Sequence, residues 1–298
     1  MNRNLSIYKI SSLVVLTVSL LISGIRTGIL GKNIDIESVS KKNAYFIERN
    51  SETVGFVIFS VCFAVAFIAL AIIIGKKAVK FIESEQSPVV FASALCGFML
   101  MATGLYYSYL YFTTNAIATG KFIISVTMIA ASVMFLYLAL SKNDQYKTII
   151  PVMRLIPIIY AFVRLLVDFV EQNSLPQNSA IAFHILSLAF LALFLVYDGK
   201  TVFGTIGMRA YLAIGYLCVF TLLVYSIPNL ILTITKYPGL DRFILFSAVD
   251  IVLAFYVFAR TYSVTAVSKT AAESSPDFED GAGQGSGGNS SSQSCFFS

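Results

Sequence analysis

Eight long apolar runs alternate with short polar connections between residues 10 and 262 of this chain. Each run is close to the roughly 20 residues that a helix needs to cross a hydrocarbon layer about 30 Å thick. A soluble helix of this length would carry a charged face at a period of about 3.6 residues, and these runs carry little charge. The pattern predicts eight transmembrane spans, at residues 10–30, 54–75, 88–112, 121–141, 149–170, 180–198, 209–234 and 242–262.

The length of the runs favours helices over the strands of a membrane barrel. Inside hydrocarbon, every backbone group has to bond within its own helix or within a closed barrel. The alternating segments of about ten residues that are typical of a barrel are missing from the sequence. The predicted fold class is therefore all-α, a polytopic helical membrane protein. Kinks are expected at Pro151, Pro157 and Pro228, because proline removes a backbone donor inside a span.

Composition agrees with this prediction and limits the expected partners. Hydrophobic residues make up 57% of the chain and charged residues 12%, against about 25% charged in an average soluble domain. The net charge of +5 is spread over many connections, so nucleic acid is not an expected partner. The lipid bilayer is the expected partner. The four cysteines form no CxxC pair, so neither a metal site nor a disulfide framework is predicted.

The distribution of Lys and Arg predicts the orientation of the chain. Taking alternate connections together, eleven of these residues fall on one side and seven on the other. Four acidic residues in the connection after the first run offset part of the smaller group. The expected location is the cell or plasma membrane, as a multi-pass protein with both termini cytoplasmic.

Short similarities between the two halves suggest an internal repeat. Residues 66–70 (AFIAL) in the second run resemble residues 189–193 (AFLAL) in the sixth, and other short matches occur in the same order. The predicted units are residues 1–140 and 141–272, each with four spans, related by an axis along the membrane normal. Chance agreement between apolar segments remains the alternative.

Residues 273–298 differ in composition from the rest of the chain. They are rich in Gly and Ser, acidic, and poor in apolar residues until the last few positions. Such a segment buries too little apolar surface to fold. A disordered tail is therefore predicted after the second unit.

Ionisable side chains inside the spans mark the candidate site. On insertion scales each costs about 2.5–3.5 kcal/mol, and such groups usually face the interior of the bundle. The candidates are Arg26, Arg154, Arg164, Asp168, His184 and Asp250. Arg164 and Asp168 are four residues apart, so they lie on one helical face and can pair. In the same first span as Arg26, Gly24 and Gly28 have the spacing that allows a close helix crossing.

One interpretation makes these side chains a substrate-binding site formed by Arg26, Arg164, Asp168, His184 and Asp250. The two arginines would bind a carboxylate or phosphate in a bidentate manner, in a polar vestibule that opens outward. Asp250, nearest the middle of the membrane, would bind a coupling proton or cation. In the alternative interpretation the arginines extend to the headgroups, Asp168 neutralises Arg164, and Asp250 bonds a Ser or Tyr hydroxyl. His184 would then be an ordinary interfacial residue.

Two classes of function remain open from the sequence. The first is a small-solute transporter or permease-like protein, for which an anionic solute is one option. The second is a membrane sensor or an assembly or scaffold subunit that acts through lipid or protein partners, including further copies of itself. A continuous polar cavity would distinguish the first from the second.

An enzyme is the less expected class, and an intramembrane enzyme is the only form considered. The sequence contains neither HExxH nor Gly-x-Ser-x-Gly, and it has a single histidine. Asp198 and Asp241 are predicted at opposite ends of their spans, too far apart to share a proton. No catalytic residue, metal ligand or cofactor is predicted.

Overall fold

This computed structural model describes residues 2–35, 46–47, 50–75, 87–114, 117–140, 150–172, 179–201, 207–235 and 244–263. The chain divides into two units, Met1–Ala266 and Val267–Ser298, and every described residue belongs to the first. The predicted tail, residues 273–298, therefore lies outside the described residues.

The described part consists almost entirely of helices. They are α1 (Asn2–Asn33), α2 (Ser51–Ile74), α3 (Ser87–Thr114), α4 (Thr119–Leu140), the single turn α5 (Ile150–Met153), α6 (Leu155–Gln172), α7 (Ser179–Lys200), α8 (Met208–Thr235) and α9 (Ile244–Tyr262). Two strands of two residues each, β1 (Ile34–Asp35) and β2 (Phe46–Ile47), pair antiparallel after α1.

Seven of the eight predicted spans each correspond to one long helix, and the fifth, 149–170, covers the single turn α5 and the helix α6. Seven of these helices in the described part are long and apolar enough to cross a membrane. The exception is α6, whose 18 residues include Arg164, Asp168 and Glu171. The all-α polytopic fold is confirmed, and the chain is an integral multi-pass membrane protein. The orientation of its termini and the type of membrane stay predictions.

Helix α8 lies at the centre of the bundle. It packs against α1, α2, α7 and α9, and it is the most buried of the seven apolar helices, whereas α2 is the least buried. Its own large apolar side chains, such as Leu212, Phe220 and Leu223, are buried against these neighbours. A second set of contacts joins α3 to α4 and α9, and α6 to α4 and α7. Helices from both halves of the chain thus pack together, and the division into two repeated units stays a prediction.

Two prolines affect the helices in different ways. The helix is interrupted at Arg154, between α5 and α6. Pro157 has no N–H for the carbonyl of Met153, the last residue of α5, which accounts for the interruption. Helix α8 continues through Pro228. There the missing N–H leaves the carbonyl of Val224 without its helical donor.

Candidate functional site

One cluster of charged side chains joins four helices near one end of α7. We call it the Asp168 network; its members are Lys121 on α4, Arg164, Asp168 and Glu171 on α6, His184 on α7 and Asp250 on α9. The network includes four of the five residues predicted to bind substrate. The structure therefore brings Arg164, Asp168, His184 and Asp250 together, and it adds Lys121 and Glu171.

The pair formed by Arg164 and Asp250 has bidentate geometry. Nη1 of Arg164 lies 2.5 Å from Oδ1 of Asp250, and Nη2 lies 2.7 Å from Oδ2. Nη1 also donates to the hydroxyl of Tyr160 at 3.0 Å. Arg164 is 1% exposed and Asp250 is fully buried. Tyr160, Arg164 and Asp168 follow one another at intervals of four residues, so they share the face of α6 that meets these partners.

Asp168 accepts contacts from three basic side chains. Nζ of Lys121 lies 2.5 Å from Oδ1, and Nε2 of His184 lies 2.9 Å from Oδ2. The expected pairing with Arg164 is present as an ion pair, with Nε 3.6 Å from Oδ2. Lys121 also pairs with Glu171, at 3.0 Å. The positive charges of Lys121 and Arg164 compensate the negative charge of Asp168.

Aromatic rings lie against the cations of the network. The ring of Phe246 is 5.2 Å from Cζ of Arg164 and 5.8 Å from Nζ of Lys121. Both distances are within the range of cation–π attraction. The ring of Tyr225 is 4.5 Å from that of His184. Side chains from α8 and α9 thus cover the network inside the bundle.

Arg26, the fifth predicted residue, lies at the contact between α1 and α8. Its Nη1 donates to the carbonyl of Val224 at 2.7 Å, the carbonyl that Pro228 leaves without a helical donor. The guanidinium is 4.6 Å from the ring of Phe183. Arg26 is only 2% exposed, so it does not extend to the headgroups. Its described contacts are with the backbone of α8 and with aromatic rings of α2 and α7.

A second charged cluster lies near the other end of α7. We call it the Asp198 network; it comprises Arg154, Asp198, Thr201, Tyr211, Tyr256 and Arg260. Arg260 contacts Oδ1 of Asp198 through Nε at 2.8 Å and Nη2 at 2.7 Å. Arg154 donates to the carbonyl of Asp198 at 2.9 Å, and its Nη1 is 3.7 Å from Oδ2. His184 and Asp198 are fourteen residues apart, which places the two networks about 21 Å apart along α7.

Sequence reasoning missed several members of these networks. The count of Lys and Arg that predicts the orientation includes Lys121 and Arg260, although each falls inside a predicted span. Lys121 is 8% exposed, the side chain of Arg260 is 12% exposed, and both form ion pairs with carboxylates on other helices. Asp198 ends the sixth predicted span and has no predicted role. Its supposed counterpart, Asp241, lies outside the described residues.

The described residues contain no cluster of three or more His, Cys, Asp or Glu side chains that could hold a metal ion. The charged groups can perform other chemistry. The planar fork of Arg164 can bind a carboxylate or phosphate in place of Asp250. A neutral imidazole such as that of His184 has one ring nitrogen that can accept a proton.

An apolar groove of about 300 Å³ lies between α2, α7 and α8. Its lining includes Val57, Ala64, Ile68, Phe183, Phe190 and Phe220. None of its lining residues belongs to either charged network. Its apolar lining suits a hydrocarbon chain or another apolar surface.

Comparison with known proteins found no matching family model, curated protein or solved structure. The chain is thus defined by its own architecture, an integral multi-pass membrane protein whose described helices bury two separate networks of charged side chains.

Proposed function

We propose that this protein carries a small anionic solute across the membrane and binds it at the Asp168 network. The buried bidentate pair between Arg164 and Asp250 is the observation that carries this proposal. A carboxylate already occupies the guanidinium fork. The carboxylate or phosphate of a solute would make the same two hydrogen bonds after displacing Asp250.

The number of buried charges supports a function beyond packing. Each ionisable group inside a membrane span costs about 2.5–3.5 kcal/mol on insertion scales. Buried ion pairs can often be replaced by apolar residues of similar volume without loss of stability. Five of the six ionisable groups in the Asp168 network are buried, and a bundle selected only for rigidity has little use for them. A binding site for a charged solute uses such groups to hold the solute.

The two networks suggest how a carrier could be closed at both ends. The Asp168 network joins α6, α7 and α9 at one end, and the Asp198 network joins α7, α8 and α9 to Arg154, next to α6, at the other. Solute would reach Arg164 when α6 and α9 separate at the first end. Release on the opposite side would require the Asp198 network to open. Such alternation is the general mode of action of carriers.

Ligand binding is the first requirement of a carrier and tests the proposed site. The purified protein in lipid nanodiscs would be heated in the presence of acetate, lactate, succinate or inorganic phosphate. We expect at least one of these anions to raise the melting temperature of the wild type. Arg164→Lys, which keeps the charge but removes the fork, should abolish the shift. Arg209→Lys, at an exposed position on α8, is the matched control and should keep it.

The apolar groove favours a second candidate, an assembly or sensor subunit. Such a protein would use the surface between α2 and α7 to contact a lipid chain or a partner. Its charged networks would then hold the helices together and would bind no solute. A wild type that no anion stabilises, with a melting temperature that depends on lipid composition, would favour this candidate.

A further inference from the structure

We infer that His184 binds the proton that couples to solute binding, on its Nδ1 atom. The inference rests on the proposed function and specifies the ion that accompanies the solute. His184 is the single histidine of the chain. It is buried on α7 within the Asp168 network.

The hydrogen bond to Asp168 determines which ring nitrogen is open. An ionised carboxylate only accepts hydrogen bonds, so Nε2 of His184 carries the hydrogen that Asp168 accepts at 2.9 Å. In the neutral ring, Nδ1 then holds the lone pair. Nδ1 is buried and has no hydrogen-bond partner among the described residues. An incoming proton therefore has one place on the ring to bind.

The charged groups around the imidazole of His184 determine the electrostatic potential at the ring. On α6, Asp168 contacts Nε2 directly and Arg164 lies 3.6 Å from the same carboxylate oxygen. On α4, Lys121 contacts the other oxygen of Asp168. On α8, Tyr225 offers its ring to the face of the imidazole. The carboxylate of Asp168 attracts a positively charged ring, whereas the two cations repel it.

Asp250 and Glu171 complete the balance of charge. Asp250 neutralises Arg164, and Glu171 shares Lys121 with Asp168. When α6 and α9 separate and admit water to the network, a proton binds to Nδ1 while the Nε2–H bond to Asp168 persists, and release returns the proton to water. The added positive charge lies near the guanidinium that would hold the anion. Proton and anionic solute would thus strengthen each other's binding.

The structure assigns this role to His184 rather than to Asp250. Asp250 accepts two hydrogen bonds from Arg164, one on each carboxylate oxygen. A proton on Asp250 would have to break that pair. A proton on Nδ1 of His184 breaks no bond among the described residues.

A single histidine makes the site directly observable. Protein labelled with ¹⁵N-histidine and placed in nanodiscs gives ring signals from His184 alone, so no assignment is needed. At about pH 9 we expect the neutral form with hydrogen on Nε2 and a lone pair on Nδ1, and near pH 5 a ring protonated on both nitrogens. A neutral ring with hydrogen on Nδ1, or a ring unchanged over this range, would overturn the assignment.

At one fixed pH, two variants should change the fraction of protein molecules in which the His184 ring is protonated on both nitrogens, and they should do so in opposite directions. Asp168→Asn removes the anion that stabilises imidazolium and should lower the fraction. Lys121→Gln removes an opposing cation and should raise it, and it provides the test if Asp168→Asn does not fold. Lys200→Gln, at an exposed position at the far end of α7, should have no effect. Equal fractions in Lys121→Gln and wild type would also overturn the assignment.

These spectra require no solute. Failure of the proton site therefore leaves the anion-binding test unaffected, and failure of anion binding leaves the titration of His184 readable. The two results separate the coupling ion from the proposed function.

Discussion

Arg26 on α1 donates to the carbonyl of Val224 on α8, the carbonyl that lies four residues before Pro228. Pro228 has no N–H, so this carbonyl lacks the donor that every other residue type would supply. In the membrane interior water is not available to replace that donor. The guanidinium of one helix therefore completes the hydrogen bonding of another.

This relationship predicts that Arg26 and Pro228 are energetically coupled. Arg26→Met keeps the length of the side chain but leaves a buried carbonyl unsatisfied, which should cost about 1–3 kcal/mol of unfolding free energy. In a Pro228→Ala background the new N–H can reach Val224, so the same substitution should cost clearly less. Unfolding in mixed detergent micelles measures both losses. Arg209→Met, at an exposed position on α8, should cost little in either background. Equal losses for Arg26→Met with and without Pro228 would contradict the coupling.

The pair formed by Arg164 and Asp250 predicts that substitutions of the two residues have non-additive effects on the unfolding free energy. Arg164→Met or Asp250→Leu alone leaves an opposite charge buried without its bidentate partner, and each should cost about 3–5 kcal/mol. The double variant removes both charges and should lose less than the sum of the single losses, with a coupling of about 1–3 kcal/mol. The unfolding free energies of the four proteins test this. Strict additivity would mean that the two side chains do not stabilise each other.

The sequence was sufficient to predict the helices, but it was not sufficient to predict which side chains contact each other. Bilayer thickness fixes the length of an apolar run, so the long helices were predictable, and the break near Pro157 follows from a missing N–H. The partner of Asp250 was not predictable, because Arg164 lies 86 positions away on another helix. The ion pairs of Lys121 and Arg260 with carboxylates on other helices were not predictable either, since long side chains at helix ends can fold inward as well as outward.

Replacing the carboxylate of Asp198 by an uncharged amide should strongly destabilise the protein. Asp198→Asn would leave Arg154 and Arg260 near each other without the carboxylate, and we expect a loss of about 3–5 kcal/mol of unfolding free energy. Arg260→Gln in the same protein should recover part of this loss, because it removes one of the two cations. Lys200→Gln, two residues from Asp198, serves as the control. A small effect of Asp198→Asn would show that the cations are already compensated by other groups.

Close contact between α3 and α4 depends on two glycines that the sequence did not single out. A Cβ at Gly104 would lie 2.9 Å from the carbonyl oxygen of Ser125, and one at Gly97 would lie 2.6 Å from the side chain of Leu136. By contrast, Gly24 and Gly28 have no neighbouring atom within 4 Å of a Cβ in the described part. The close crossing expected from their spacing is therefore absent there.

Gly97→Ala and Gly104→Ala should each destabilise the protein, by about 1–3 kcal/mol, because α3 has to move away from α4. Gly24→Ala provides the matched control, and it should cause no loss since alanine favours a helix over glycine. Thermal unfolding in nanodiscs compares the three variants with wild type. A loss in Gly24→Ala as large as that in Gly104→Ala would contradict the packing described for α3 and α4.

The most direct test of the central claim is uptake of labelled acetate, lactate, succinate and phosphate into liposomes that contain the purified protein. The account predicts saturable uptake of at least one of these anions above that of protein-free liposomes. It also predicts that this uptake is abolished by Arg164→Lys and retained by Arg209→Lys. Uptake equal to that of protein-free liposomes for all four anions, or uptake that Arg164→Lys leaves intact, would contradict transport through the Asp168 network.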